Sequence, residues 1–387
     1  MLKRVLDLNL PKGQSIFIWG ARKTGKSTYL KKHFSQAFFI DFLHHQTYLR
    51  YSRAPSILRE EIEALKGQKN LVIIDEVQKV PEILDEVHWL IEDNKELSFI
   101  LCGSSLRKLK RSGSNLLGGR AWRQNFLPLC FPELPEFNLH KILNHGLIPS
   151  HYLSEEVPIR QIEGYVVDYM IPEVQMEGRI RNLGAFNRFL EVIAFSNGEQ
   201  LNYSNIAREC SVNIKTAQGY VELLCDMLLG YLILPYSGKS SRQTIMSAPK
   251  FYFFDTALPL FLKEEEIKNI KGPSAGHAFE HYLFLELLAY RETTKKRYNI
   301  SYWRTKTGLE VDFVVGKGNV AIEVKISHLI SKYDLKGLFA FTKDNSFCNP
   351  IVVCLEPNKR IMHFEDVEVQ IYPVQQFLTE LWKGKII

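Results

Sequence analysis

Eight consecutive residues, Gly20-Ala21-Arg22-Lys23-Thr24-Gly25-Lys26-Ser27, match the pattern G-x-x-x-x-G-K-[ST] between an apolar run, SIFIW, and a helical stretch, STYLKKHF. Residue types at this spacing bind phosphate. Glycines let backbone N–H groups wrap the phosphate oxygens, Lys26 would reach the β- and γ-phosphates, and the Ser27 hydroxyl would ligate Mg²⁺. The plain alternative is a glycine-containing turn between a strand and a helix, which the strand-loop-helix frame disfavours. With Thr28, the expected nucleotide contacts run without a break from Gly20 to Thr28.

The run LVIIDE ends in Asp75 and Glu76, which a parallel sheet would present at its carboxyl edge, where ligands bind. Beside a phosphate-binding loop, Asp75 would hold Mg²⁺ through its shell and Glu76 would polarise an attacking water. Alone, an Asp-Glu pair after a strand is a solvated strand end. The run SFILCG delivers Ser104 and Ser105 to the same edge, where a hydroxyl would sense the terminal phosphate or position water. For each serine a turn hydroxyl is the competing role.

With these residues the chain resembles AAA-type P-loop ATPases in which a short ATPase domain is fused to a C-terminal domain of unknown function. The shared segments are the G-x-x-x-x-G-K-S loop, the Asp-Glu strand, the strand ending in GSS, LLGGRAWRQNFLPLCFPE, and the later strands EVDFVV and IEVK. The resemblance implies ATP and Mg²⁺ as cofactors. It also makes Arg120 a candidate arginine finger or sensor, because a guanidinium near the γ-phosphate stabilises the spread charge of the transition state. Acting in trans, Arg120 would require a homo-oligomer; a surface arginine capping a helix is the alternative.

A further constellation is chemically specific. Glu280 falls in a helical run, Asp312 in EVDFVV, and Glu323 with Lys325 in VAIEVKI, in the chain order of a PD-(D/E)xK nuclease core, which this part of the sequence resembles. Period 2 along a strand puts Glu323 and Lys325 on one face. Asp312 and Glu323 would bind Mg²⁺, Lys325 would steady the nucleophilic water or the phosphate, and Glu280 would assist from the helix. Val311 stands where the motif has proline, and Glu310 is a competing carboxylate. The bland reading is a hairpin whose acids and lysine pair on a solvated face.

These residues need elements to hold them. A chain of 387 residues implies two or three domains. Residues 1–135 alternate short apolar runs (SIFIWG, AFFIDF, NLVIIDE, LSFILCG) with helical stretches, as a parallel sheet with crossover helices does. Residues 136–164 carry Pro149 and Pro158 and read as a linker. Residues 165–255 read as a helical, winged-helix module, with a turn from Cys210 to Asn213 between two helices and a wing bearing Lys239 and Arg242. Residues 256–387 supply the nuclease-like strands. The expected fold class is thus α/β: a P-loop NTPase parallel sheet, a winged-helix module, then an α/β restriction-endonuclease-like domain.

Composition narrows the setting. The six cysteines form no C-x-x-C pair and mostly sit in apolar runs, as expected for buried thiols in a reducing cytoplasm. Adjacent His44 and His45 point apart and make a poor metal pair. No run approaches the length of a membrane span, so no membrane partner is expected and the localisation is read as cytoplasmic. Lys and Arg outnumber Asp and Glu 21 to 15 in residues 1–136 and match them, 28 to 28, in the rest. Arg107, Lys108, Lys110, Arg111, Arg120 and Arg123 make one basic stretch with no acid, suited to a phosphate backbone such as DNA. The expected function is ATP hydrolysis coupled to a nuclease-like domain acting on DNA. The competing expectation is a nucleotide-operated switch whose nuclease-like domain is inactive and binds a partner.

Overall fold

The computed structural model of the chain describes residues 2–65, 69–105, 107, 117–154, 158–238, 248–364 and 366–387. Lys108, Lys110, Arg111, Lys239 and Arg242 lie outside the described residues.

Five strands form the first sheet: β1 (Ser15–Trp19), β2 (Phe38–Asp41), β3 (Leu71–Asp75), β4 (Ser98–Gly103) and β5 (Ala121–Asn125). Their order is β2-β3-β4-β1-β5, and every neighbouring pair is parallel. The central strands β1, β3 and β4 are almost continuously apolar because helices cover both faces, and Ile18, Ile73 and Ile100 are fully enclosed. One face packs Phe17, Trp19 and Phe99 against the helix Ile83–Asp93; the other packs Ile16, Ile18 and Ile100 against Tyr29 and Leu30 of the helix Lys26–His33. All five strands run the same way, so the ends of β1, β3 and β4 meet at one edge.

Residues 136–164 are not a linker. They form the helices Leu139–His145, Pro149–Tyr152 and Pro158–Glu163. Leu139, Ile142, Leu143, Leu147 and Tyr152 join a core cluster with the 23-residue helix Gly272–Thr294. The prolines that read as breakers stand in first turns, where the missing N–H costs no hydrogen bond. Next come a π-helical stretch, Gly164–Met170, and the helices Ile171–Gly178, Leu183–Phe195, Tyr203–Glu209 and Ile214–Asp226.

The second sheet has eight strands: β6 (Gly230–Pro235), β7 (Lys250–Phe253), β8 (Ile300–Arg304), β9 (Glu310–Val315), β10 (Val320–Val324), β11 (Asn349–Cys354), β12 (Arg360–Phe364) and β13 (Val367–Pro373). Their order is β12-β13-β11-β10-β9-β8-β6-β7. The division between residues 255 and 256 therefore cuts through one sheet. Strand β6 pairs antiparallel with β7, as a wing would, but also parallel with β8 through Leu234 opposite Ser301. Side chains alternate across the sheet: Phe313, Val315 and Ile322 face the cluster around the helix Gly272–Thr294, while Val314 and Ala321 face the helix Lys336–Asp344.

Candidate functional site

The loop after β1 begins with Gly20, where a Cβ would stand 2.1 Å from the Phe126 carbonyl oxygen, so only glycine lets the chain leave the sheet this close to its neighbour. The loop then turns through left-handed conformations at Lys23 (φ 61°) and Gly25 (φ 95°), which directs backbone N–H groups inward at the start of the helix Lys26–His33. The Thr24 hydroxyl donates to the Ala21 carbonyl at 2.8 Å, and Arg4 donates to the Thr24 carbonyl at 2.7 Å, bracing the loop from outside. The Lys26 ammonium is buried and donates to the carbonyls of Gly20 (2.6 Å) and Ala21 (2.8 Å). Burial pulls its pKa below the usual lysine value. A phosphate would give this enclosed cation a better partner than two neutral carbonyls. Ser27 is half-buried and Thr28 is exposed on the helix that follows.

Asp75 ends β3 beside β4 and is fully buried. Its Oδ1 accepts from the Glu76 N–H at 3.0 Å, while its Oδ2 is enclosed without a hydrogen-bond partner. An orphaned carboxylate oxygen at the sheet edge that carries the phosphate loop fits a cation, with Ser27 and Asp75 as the residues that would hold Mg²⁺. Glu76 adopts φ 56° and ψ 41°. That left-handed conformation costs a non-glycine residue about 1–3 kcal/mol, and such strain concentrates at functional sites. Its carboxylate accepts from the Gln78 amide at 2.6 Å, and the same amide donates to the Ser104 hydroxyl at 3.0 Å. Glu76 and Ser104 are thus joined through Gln78, a residue the sequence reading did not single out. Ser105 instead accepts from the Arg107 N–H at 3.2 Å, a turn hydroxyl.

Arg120 is placed elsewhere. Strand β5 starts beside the start of β1, with Ala121 opposite Ser15, whereas the phosphate loop follows the far end of β1. The five residues of β1 separate the two levels, roughly 17 Å at about 3.3 Å per residue. Arg120 pairs there with Glu92. A sensor role toward its own chain's loop is corrected by this register.

In the second sheet, Phe313 and Ile322 are the last residues paired between β9 and β10, and Asp312 and Glu323 lie one step beyond. The Asp312 carboxylate accepts from the Val324 N–H at 2.7 Å. Lys325 lies 2.6 Å from the Glu323 Oε1, as the shared strand face requires, and the Glu323 Oε2 is buried with no hydrogen-bond partner. Burial, reinforced by mutual repulsion, drives the Asp312 carboxyl well above its usual pKa, and burial lifts that of Glu323 to about 7. Two buried acids that resist ionising together, one with an open oxygen, suit a divalent cation.

Glu280 does not complete this pair as expected. Its Oε1 accepts from the Tyr252 hydroxyl at 2.5 Å and from Lys250 at 3.1 Å, and Lys250 also lies 2.6 Å from the Glu310 Oε1. No group of three or more His, Cys, Asp or Glu side chains among the described residues is arranged to hold a metal ion. Lys250 was missed because it lies more than sixty residues from Asp312 in the chain. The available signal was a lysine opening the apolar strand KFYF, two residues before Tyr252 and therefore on its face.

A five-stranded parallel sheet with a phosphate loop and a buried aspartate at its carboxyl edge is consistent with a P-loop domain in the N-terminal part. Residues 12–135 match the family described as AAA domain, residues 136–266 a domain of unknown function (DUF8612) and residues 275–377 another (DUF4143). These matches lie end to end, an AAA domain followed by two domains of unknown function. The chain is 24% identical over 263 residues to uncharacterized proteins of Mycobacterium tuberculosis and Mycobacterium bovis, covering 67% of this chain and 58% of each relative. It is also 24% identical over 360 residues to one of Methanocaldococcus jannaschii, covering 84% of this chain and 77% of that protein. The chain thus spans less than two thirds of the length of the mycobacterial relatives. Among the described residues no helix is long and apolar enough to cross a membrane.

Proposed function

We propose that the chain hydrolyses ATP with Mg²⁺ at Lys26, Ser27, Asp75 and Glu76, and couples its nucleotide state to a metal-dependent, nuclease-like site at Asp312, Glu323 and Lys325 that acts on DNA. The observation that carries the coupling is Arg22. From inside the phosphate loop it lies 3.0 Å from Glu173 of the helical region and 3.8 Å from Glu76, and it stacks over Tyr169 of the π-helical stretch, 4.9 Å from its centroid. Ala21 belongs to the helical region's core cluster. A phosphate drawing on Arg22 would therefore be felt in the helices. Those helices run on through Ile214–Asp226 to β6 and β7, which edge the second sheet.

Lys26 and Glu76 do the N-terminal chemistry in this reading. Lys26 neutralises the transferring phosphate and Glu76, oriented by Gln78, takes up the proton of the attacking water. At the second site Lys325 would orient the water or the scissile phosphate, and a cation between Asp312 and Glu323 would stabilise the developing charge. The helices Tyr203–Glu209 and Ile214–Asp226 with the β6–β7 pair follow a winged-helix order, used here for packing and coupling more than for base readout. The test is a set of substitutions. Lys26→Ala and Glu76→Gln abolish ATP turnover, Glu76→Gln keeps ATP binding, and Asp312→Ala leaves turnover unchanged; turnover by Lys26→Ala at the normal rate refutes the N-terminal assignment.

A second reading has its own support. Lys325 on Glu323 and Lys250 between Glu280 and Glu310 fill the acidic cluster with ammonium groups, as an inactive nuclease-like domain used for partner binding would. That reading requires ATP binding without metal-dependent cutting of any DNA or RNA offered.

A further inference from the structure

Resting on the metal-site reading of Asp312 and Glu323, we infer that Lys250 is a resident cation that satisfies Glu280 and Glu310, so that the C-terminal site takes one divalent metal ion and not two. Lys250 is only 3% exposed, and its ammonium lies 3.1 Å from Glu280 and 2.6 Å from Glu310. A lysine buried to this degree keeps its charge at least cost where carboxylates surround it. Tyr252 donates to the same Glu280 oxygen and holds that acid toward Lys250, while the other Glu310 oxygen lies 3.3 Å from Arg304. Both acids therefore have their charge matched by protein cations.

Asp312 and Glu323 are left, with the enclosed and unpartnered Oε2 of Glu323 as the second observation that points to a ligand. With Lys325 already on Glu323 Oε1, these two carboxylates leave charge for no more than one divalent ion. A second ion would need Glu280 or Glu310 as a ligand, hence the displacement of a buried ammonium. Lys250 also comes from a different stretch than the proposed ligands. It lies within residues 136–266, matched by one family, while Asp312, Glu323 and Lys325 lie within residues 275–377, matched by another. The middle region thus sets the metal stoichiometry of a site in the C-terminal one.

The experiment is a Mn²⁺ titration of the full nucleotide-free chain, followed by electron paramagnetic resonance of free Mn²⁺. The count is taken as the difference from Asp312→Asn, so that an ion at Asp75 cancels. Wild type should bind one Mn²⁺ by this measure. Lys250→Met, which leaves Glu280 without a cation and Glu310 with Arg304 alone, should bind two, and adding Glu310→Gln should return the count to one. Should Lys250→Met fail to fold, Glu280→Gln serves alone: it should keep the single Mn²⁺ with affinity within about threefold, since Glu280 is not a ligand. Two Mn²⁺ in wild type, one in a folded Lys250→Met, or a tenfold loss in Glu280→Gln overturns the inference while leaving the metal-site reading intact. No Mn²⁺ in wild type overturns both.

Discussion

Arg22, in the phosphate-binding loop, lies 3.0 Å from the carboxylate of Glu173 in the neighbouring helical region. Glu173 is 9% exposed, so this pair is shielded more than a surface salt bridge and its rearrangement is correspondingly costly. Arg22 also lies within 3.8 Å of Glu76, so one guanidinium reaches both Glu76 and the helices beyond it.

This pair predicts a nucleotide-dependent change outside residues 12–135. Hydrogen exchange across residues 164–178 should differ between the nucleotide-free and ATP-bound chain. Glu173→Gln, which keeps the shape but removes the charge, should reduce that difference by at least half while leaving ATP binding in place. An undiminished difference in the variant would remove Arg22 as the connection.

Gly20→Ala tests why the loop opens with glycine. The added methyl would meet the Phe126 carbonyl oxygen at 2.1 Å, where backbone must shift. The variant should lose about 1–3 kcal/mol of stability, the usual cost of overpacking, seen as a lowered Tm. It should also bind ATP more weakly, since the loop would be displaced. An unchanged Tm contradicts the packing argument.

Arg120 makes a separable prediction. It sits at the sheet edge remote from its own loop, so any catalytic use must come from a second copy. Turnover per chain should then rise with protein concentration in wild type and not in Arg120→Ala. Concentration-independent turnover in wild type would return Arg120 to a surface arginine paired with Glu92.

Glu286 should make stability depend on pH. It is buried, its carboxylate accepts from the Phe131 N–H at 2.8 Å and the Trp382 indole at 2.9 Å, and burial lifts its pKa from 4.5 to about 7. A folded-state pKa above the unfolded one means that the folded state holds the proton more tightly. Its contribution to stability is complete below about pH 4.5 and lost as the pH rises through about 7, a change of about 3 kcal/mol. Glu286→Gln should flatten the fall in Tm across that window. An equal fall in the variant places the pH dependence elsewhere.

Legibility in the sequence followed how local each feature is. Gly20 to Thr28 are contiguous, and Asp75, Glu76 and Ser104 end apolar runs, so chemistry and position could be read together. Glu323 and Lys325 share a strand face by period alone. Lys250 reaches the same cluster only because β6 and β7 join the second sheet beside β8, and no local pattern encodes that pairing. The helices of residues 136–164 were hidden for another reason: prolines that begin helices have the same letters as prolines that end them. Arg120 was misplaced because its position depends on the register of β5 against β1, a strand whose sequence, AWRQN, lacks the apolar run that marks the others.

Coupling of ATP hydrolysis to a metal-dependent cutting site in one chain is the proposal most exposed to experiment. Its most direct test is DNA cleavage by the full chain in Mg²⁺ or Mn²⁺, with and without ATP, for wild type, Lys26→Ala and Asp312→Asn. Wild type should cut only with metal and at a rate that changes with ATP, Lys26→Ala should lose the response to ATP, and Asp312→Asn should lose cutting while keeping ATP turnover. Cutting by Asp312→Asn at the wild-type rate, or no cutting by wild type under any of these conditions, would contradict it.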